Sequence, residues 1–221
     1  MVVQFRTNGK GRSNMSSVLL RLSGKTSGEI LEVGEENNIT TDIMDIAKKW
    51  GVKLRFFDFQ EIEKEARIDA GTVLGAIVDN DENDTLTIFL KNRLSNSTYY
   101  DSKTAGEKID ILRRRQRFTV AHELAHACLH LEAQDIKFRL DYHSDEDEYI
   151  AENVPNIYDS EYAANVFAGE LLMPERWVIY VLKKLISPSI EAFSRIFDVS
   201  KTVVKERLKY LGMLDVVESA E

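Results

Sequence analysis

The chain has 221 residues, 43% of them hydrophobic, and a net charge of −8. That is enough for one sizeable core plus a small appendage, and the composition is neither disordered nor fibrous. The acidic balance argues against general affinity for nucleic acid. A lone cysteine, Cys128, excludes internal disulfides and fits a reducing compartment. No apolar run approaches the roughly 18 residues of a membrane span. Near the start the longest apolar run is Val18-Leu19-Leu20, too short for a signal peptide, so the chain reads as cytoplasmic.

Residues 1–39 are polar and glycine-containing and read as a loosely ordered N-terminal arm, with a short helix over Ser16–Leu22 compatible with the pattern. Ile43, Ile46, Ala47 and Trp50 then fall at helical spacing, with Thr40 or Thr41 as N-cap and Gly51 as the stop. Val52 to Phe56 alternates as a strand, which Phe57 and Phe59 continue, and Gln60–Ile68 reads as a charged surface turn of helix. Two β-rich runs, Thr72–Val78 and Thr85–Leu90, flank the polar stretch Asp79–Asp84 and predict a hairpin. That loop lacks the calcium-loop pattern and reads as a solvated turn. The basic run Arg113-Arg114-Arg115-Gln116-Arg117 reads as a solvated face or as a partner for the acidic segment Glu132–Ser160.

The stretch Arg115–Leu131 contains His122-Glu123-Leu124-Ala125-His126, an H-E-x-x-H motif. Phe118, Val120, Ala121, Leu124, Ala125, Cys128 and Leu129 surround it and predict a buried helix. Two histidines four residues apart share one helix face and can reach one ion. Zinc takes nitrogen donors at about 2.0–2.1 Å in a tetrahedral shell, and this pair supplies half of it. Glu123, beside the pair, can take a proton from water that the ion activates, and is the candidate general base. Cys128 reads as core packing. His130 lies ~12 Å of helix rise beyond His122, too far for the same ion. His143 reads as exposed, with a substrate contact as the alternative. By its position beside the motif helix, Thr85–Leu90 is the strand expected to hold substrate by main-chain pairing.

Nine acidic residues against Lys137 and Arg139 make Glu132–Ser160 the source of most of the negative charge, and this stretch is expected to favour a basic partner. The helix Glu161–Met173 must complete the metal site. At ~100° per residue Glu161, Asn165, Ala168 and Leu172 form one inward stripe, with Glu170 on the opposite side. Glu161 suits a third ligand, and Asn165 can accept the Nδ1 hydrogen of a ligating histidine. The alternative is a buried hydrogen-bonded pair without metal. Pro174 ends this helix and starts another through Trp177, Val181 and Leu182. After Ser187-Pro188-Ser189, a helix at Ile190–Phe197, the turn Asp198-Val199-Ser200 and a helix at Val203–Leu211 read as helix-turn-helix, closed by Gly212. The charges of Arg195–Tyr210, five basic and two acidic, make a weak DNA footprint.

Arg115-Gln-Arg-Phe-Thr-Val-Ala-His-Glu-Leu-Ala-His126 and Glu161-Tyr-Ala-Ala-Asn-Val-Phe-Ala-Gly-Glu-Leu-Leu-Met-Pro174 resemble the ImmA/IrrE family of metallo-endopeptidases. Phe197–Ser200 with Arg207-Leu208 and Leu211-Gly212 is similar to that family's helix-turn-helix tail, and the likeness spans roughly Thr40–Leu214. It implies an α+β, zincin-like peptidase domain, with His122, His126 and Glu161 as zinc ligands and Glu123 as acid/base. It also implies a cytoplasmic role in cutting a helix-turn-helix repressor of mobile elements, phage or a stress response. Ala125 stands where the family often has glycine, the acidic stretch is long for the family, and no sensor-like domain follows the tail.

The expected architecture is therefore an arm (1–39), a zincin-like metallopeptidase domain with a small antiparallel sheet (40–187) and a helix-turn-helix-like tail (188–215). The expected function is a zinc-dependent endopeptidase acting on a protein substrate, with weak or no nucleic-acid binding and no membrane contact. The alternative is a DNA-binding transcription regulator with a structural metal site, which Glu123 disfavours because a structural site needs no base. His143, Tyr142 and Tyr162 are the candidates for stabilising an oxyanion.

Overall fold

In this computed structural model the described residues are 15–33, 38–60, 73–94, 102–129, 139–142 and 157–220. Four strands make one sheet in the order β1-β3-β2-β4. The predicted hairpin is present as β2 (Val73–Asn80) and β3 (Thr85–Lys91), antiparallel, with Asp84 in the left-handed region at the turn. β4 (Arg139–Tyr142) adds antiparallel to β2. β1 (Lys53–Phe57) pairs with β3 and runs parallel to it. The sheet is thus mixed rather than wholly antiparallel, because β1 joins the return strand of the hairpin, which already points its own way. This order also corrects the expected substrate strand. β3 has a neighbour on each side, so its main chain is spent on the ladder and cannot hold an extended peptide.

The sheet serves as a bed for α4 (Ala105–Leu129), the helix of the motif. It begins ten residues upstream of the predicted stretch, in a capping box: Glu107 N–H donates to Thr104 Oγ1 at 3.2 Å, and Thr104 N–H to Glu107 at 2.7 Å. Its second half is sealed, with Val120, Ala121, Leu124, Ala125 and Ala127 fully buried. The helix comes close to the strand at Gly75, where a Cβ would overlap the Thr119 methyl group and crowd the Phe89 carbonyl. Gln116 Nε2 donates to the Lys91 carbonyl at 2.7 Å and fixes the helix along β3.

Residues 15–33 are not the loose arm that their polarity predicts. They form α1 (Ser17–Leu22) and α2 (Ser27–Glu32), which sink Val18, Leu19, Leu22 and Ile30 into the core. The hairpin loop holds α1 in place. Ser16 N–H donates to Asp79 at 3.1 Å, and Ser17 Oγ to Asp84 at 2.7 Å. Two acids of the supposed solvated turn are thereby spent on a helix start. α2 carries a second capping box, Thr26 with Glu29. α3 (Ile43–Lys49) is capped by Asp42 rather than by Thr40 or Thr41, and Gly51 ends it at φ +90°. Thr40 donates to the Ile196 carbonyl at 2.6 Å instead. Residues 61–72, most of the predicted surface turn at 60–68, lie outside the described residues, as do 130–138 and 143–156.

Beyond α5 (Ile157–Leu172) and α6 (Glu175–Lys184), the tail comprises α7 (Ile190–Phe197), α8 (Lys201–Tyr210) and the unpredicted α9 (Leu214–Glu218). The short turn between α7 and α8 places Asp198 in the left-handed region. There three arginines of the basic run, Arg113, Arg114 and Arg117, find a partner among the described residues. Arg113 grips the Asp198 carboxylate with two nitrogens at 2.7 and 2.9 Å, and Arg114 adds a third contact at 3.1 Å. Arg117 donates to the Asp198 carbonyl at 3.1 Å. Phe193, Phe197, Val204 and Leu208 are fully buried against the rest of the core.

The Arg113 guanidinium holds the Asp198 carboxyl below its ordinary pKa. A depressed carboxyl stabilises the fold fully above its unfolded pKa, and that contribution fades as pH falls through the folded one. Asp198→Asn keeps the left-handed tolerance and drops the charge, so it should cost about 1–3 kcal/mol. Urea melts should show that gap constant from about pH 8 to pH 5 and shrinking only below about pH 4. A gap that grows on acidification would contradict the assignment.

Candidate metal centre

α4 and α5 meet where their polar residues face inward. His122, Glu123 and His126 have almost no exposed surface, while the Glu161 side chain keeps 31% of its own, so the pocket opens on the α5 side. One turn of helix puts the two Nε2 atoms 2.9 Å apart. Glu161 Oε2 lies 3.3 Å from the first and 3.5 Å from the second. These three residues form a group that could hold a metal ion.

The spacing can be tested against a shell. Donors at about 2.05 Å from a tetrahedral centre stand about 3.3 Å from each other. The observed separations bracket that value, so the donor set fits an ion without rearrangement.

Asn165 fixes the direction of the first ring. Its Oδ1 lies 2.8 Å from His122 Nδ1, which assigns the hydrogen to Nδ1 and leaves Nε2 with its lone pair toward the group. Phe118, one turn before His122, lies beside the ring at 6.0 Å between centroids, tilted by 32°. Glu170 takes no part. It accepts from Ser27 Oγ at 2.9 Å and faces Arg207 at 3.6 Å. Cys128 is likewise apart, its thiol pushed up to about 12 by burial, as suits a packed side chain. His130 and His143 lie outside the described residues. The structure thus brings together His122, His126, Glu161 and Asn165, with Glu123 beside them. Sequence reasoning missed the link from this helix to Asp198, although Arg113 and Arg117, four apart on one face, signalled a common partner.

Metal content after dialysis should fall by about 10-fold or more in Glu161→Ala and stay near that of the parent in Glu170→Ala. Asn165→Ala should weaken metal binding by about 10-fold while leaving the fold intact, read by competition with a chromogenic chelator. Equal losses in the two glutamate variants would sink the assignment.

Among the described residues no helix is long and apolar enough to cross a membrane. No curated protein matches the chain. Residues 113–209 match the IrrE N-terminal-like domain of peptidase family M78, a segment that starts at the basic run, includes the whole donor set and ends within α8. Over residues 113–209, the chain is similar to the ImmA/IrrE family of metallopeptidase-like proteins.

Proposed function

We propose that the protein is a zinc-dependent endopeptidase, with His122, His126 and Glu161 holding the ion and Glu123 as general acid/base. The observation that carries this reading is the convergence of two imidazole nitrogens and one carboxylate oxygen at 2.9–3.5 Å beside a second, fully buried carboxylate. Nitrogen-rich, three-protein-ligand sets with an open side suit catalytic zinc better than calcium or magnesium, which prefer all-oxygen shells. When bound, zinc supplies a Lewis acid that polarises a peptide carbonyl and makes water acidic near neutral pH.

The residues supply the rest. Asn165 keeps His122 in the tautomer that donates its Nε2 lone pair. Glu123 takes a proton from the water whose oxygen attacks the peptide carbon. As the carbon–nitrogen bond breaks, Glu123 passes that proton to the leaving amine. Full burial of Glu123 keeps bulk water from competing for the carboxylate. A structural metal site has no use for this buried base, which favours the peptidase over a regulator with a vestigial site.

The family resemblance supports a helix-turn-helix repressor as the protein substrate, in the cytoplasm, with nucleic acid at most a weak partner. Glu123→Gln removes the base and leaves the donors. It should retain the metal content of the parent and lose peptide cleavage by about 100-fold or more. The two proteins can be compared by atomic absorption and by mass spectrometry of a co-expressed neighbouring repressor. Near-parental cutting by the variant would overturn the mechanism.

A further inference from the structure

Beside the metal centre runs a groove of about 710 Å³ between α4, α5 and α8. Helical spacing places it relative to the donors. On α4 it is lined by Ile111, Arg114 and Phe118, a stripe in steps of three and four residues whose next member is His122. On α5 it is lined by Tyr162, Val166 and Gly169, the stripe beside the one that carries Glu161 and Asn165. Asn165 belongs to both, since it lines the groove and lies 2.8 Å from His122 Nδ1. The groove therefore starts at the donor set and runs away from it along both helices.

Four cations that line it already have partners. Lys201 and Arg195 meet Glu191 at 2.5 and 3.5 Å. Arg114 meets Asp198 at 3.1 Å, and Arg207 faces Glu170 at 3.6 Å. The surface next to the donors is apolar instead. Phe118 stands one turn from His122, and Val166 follows Asn165 directly. Leu74 of β2 lies at the same level, since Gly75 beside it meets Thr119. All three line the groove and stay partly exposed. Gly169, one turn beyond Val166, adds no side chain, so Val166 sets the depth available on the α5 side.

We infer that this near end is the specificity pocket of the peptidase. Phe118, Val166 and Leu74 receive a large apolar side chain of the substrate, such as Leu, Met or Phe, within two residues of the scissile bond. This rests on the peptidase reading. The position follows from the helix rise: Phe118 precedes His122 by four residues, about 6 Å. An extended peptide covers that length in two residues at about 3.3 Å each. The preference arises because docking takes the apolar walls and the incoming side chain out of water together.

The test uses the full-length, zinc-loaded protein on a mixture of peptides of varied sequence, with cut sites read by mass spectrometry. Large apolar residues should be enriched about 10-fold over alanine within two positions of the cut. Val166→Phe fills the pocket and should shift the enrichment to Ala and Ser, with the zinc content of the parent. Val166→Ala enlarges the pocket and should admit Trp. A damaged fold would lower the cutting of all peptides alike, whereas opposite shifts in size preference require a pocket wall. A second measurement does not depend on cleavage. Fluorescein-labelled Ser/Gly peptides carrying two adjacent leucines, or two alanines, are titrated into the Glu123→Gln protein. The leucine peptide should bind about 3-fold tighter. That lead should persist at high salt, as apolar contacts do, and vanish in Glu123→Gln/Val166→Phe. Cleavage without a size preference, or with one that neither Val166 variant moves, overturns the inference and leaves the peptidase standing. No cleavage together with a leucine preference that Val166→Phe abolishes removes the peptidase and keeps the pocket. No cleavage and equal binding removes both.

Discussion

Everything in this molecule depends on holding two buried imidazole nitrogens and a carboxylate oxygen within 3.5 Å of one another. The i,i+4 spacing settles the two nitrogens within α4, but the oxygen arrives from another helix. A slip of one residue between α4 and α5 moves it by 1.5 Å and turns it by ~100°. The two helices must therefore be fixed in both translation and rotation, and local sequence cannot do this.

The rest of the fold fixes them at their ends. α4 lies against the sheet where Gly75 leaves room for Thr119. Its last turn is closed by Gly24, whose N–H donates to the Cys128 carbonyl at 2.8 Å. Its middle is bound to the tail through Asp198. α5 is held by Ser27 on Glu170 and by buried Arg207, which donates to the Met173 carbonyl at 3.1 Å. Arg117 does for α7 what Arg207 does for α5, since it reaches the carbonyls at the end of that helix. In both cases a cation is placed where a helix leaves acceptors unpaired and its dipole is negative. α1, α2 and the tail thus function as parts of one scaffold around the donor set.

The candidate site was more legible than the fold that supports it, for a physical reason. The site is written in short periods: four residues from His122 to His126, and four from Glu161 to Asn165 along an apolar stripe. Helical geometry converts such spacings directly into shared faces. The supporting contacts have no such signature. Asp198 lies 81–85 residues from the arginines that bind it, and it reads as an ordinary turn residue. The sheet order is equally hidden, because alternation shows which face is buried and not which strand is next door. Other features were within reach. Thr26 with Glu29 and Thr104 with Glu107 are capping boxes visible as T-x-x-E, and they mark the starts of α2 and α4. Composition alone made the first 39 residues look loose because polar caps outnumber the few apolar residues that α1 and α2 bury.

The division of labour between the two glutamates of α5 shows how far rotation alone decides chemistry. Glu161 and Glu170 have the same side chain on the same helix, about half a turn apart in angle. Glu161 faces two imidazoles, its Oε2 3.3 and 3.5 Å from their Nε2 atoms, in a group that could hold a metal ion. Glu170 faces Ser27 and Arg207 and serves as a strut. Were α5 turned by half a turn, the strut would become the donor and the donor a surface charge. That rotation is blocked because it would bring Ala164, Ala168 and Leu171, all fully buried, into water. Their burial is worth about 25 cal/mol for each Å² of apolar surface. The hydrophobic stripe of α5 therefore selects the chemistry of the centre, and the polar residues occupy the positions that the stripe assigns them.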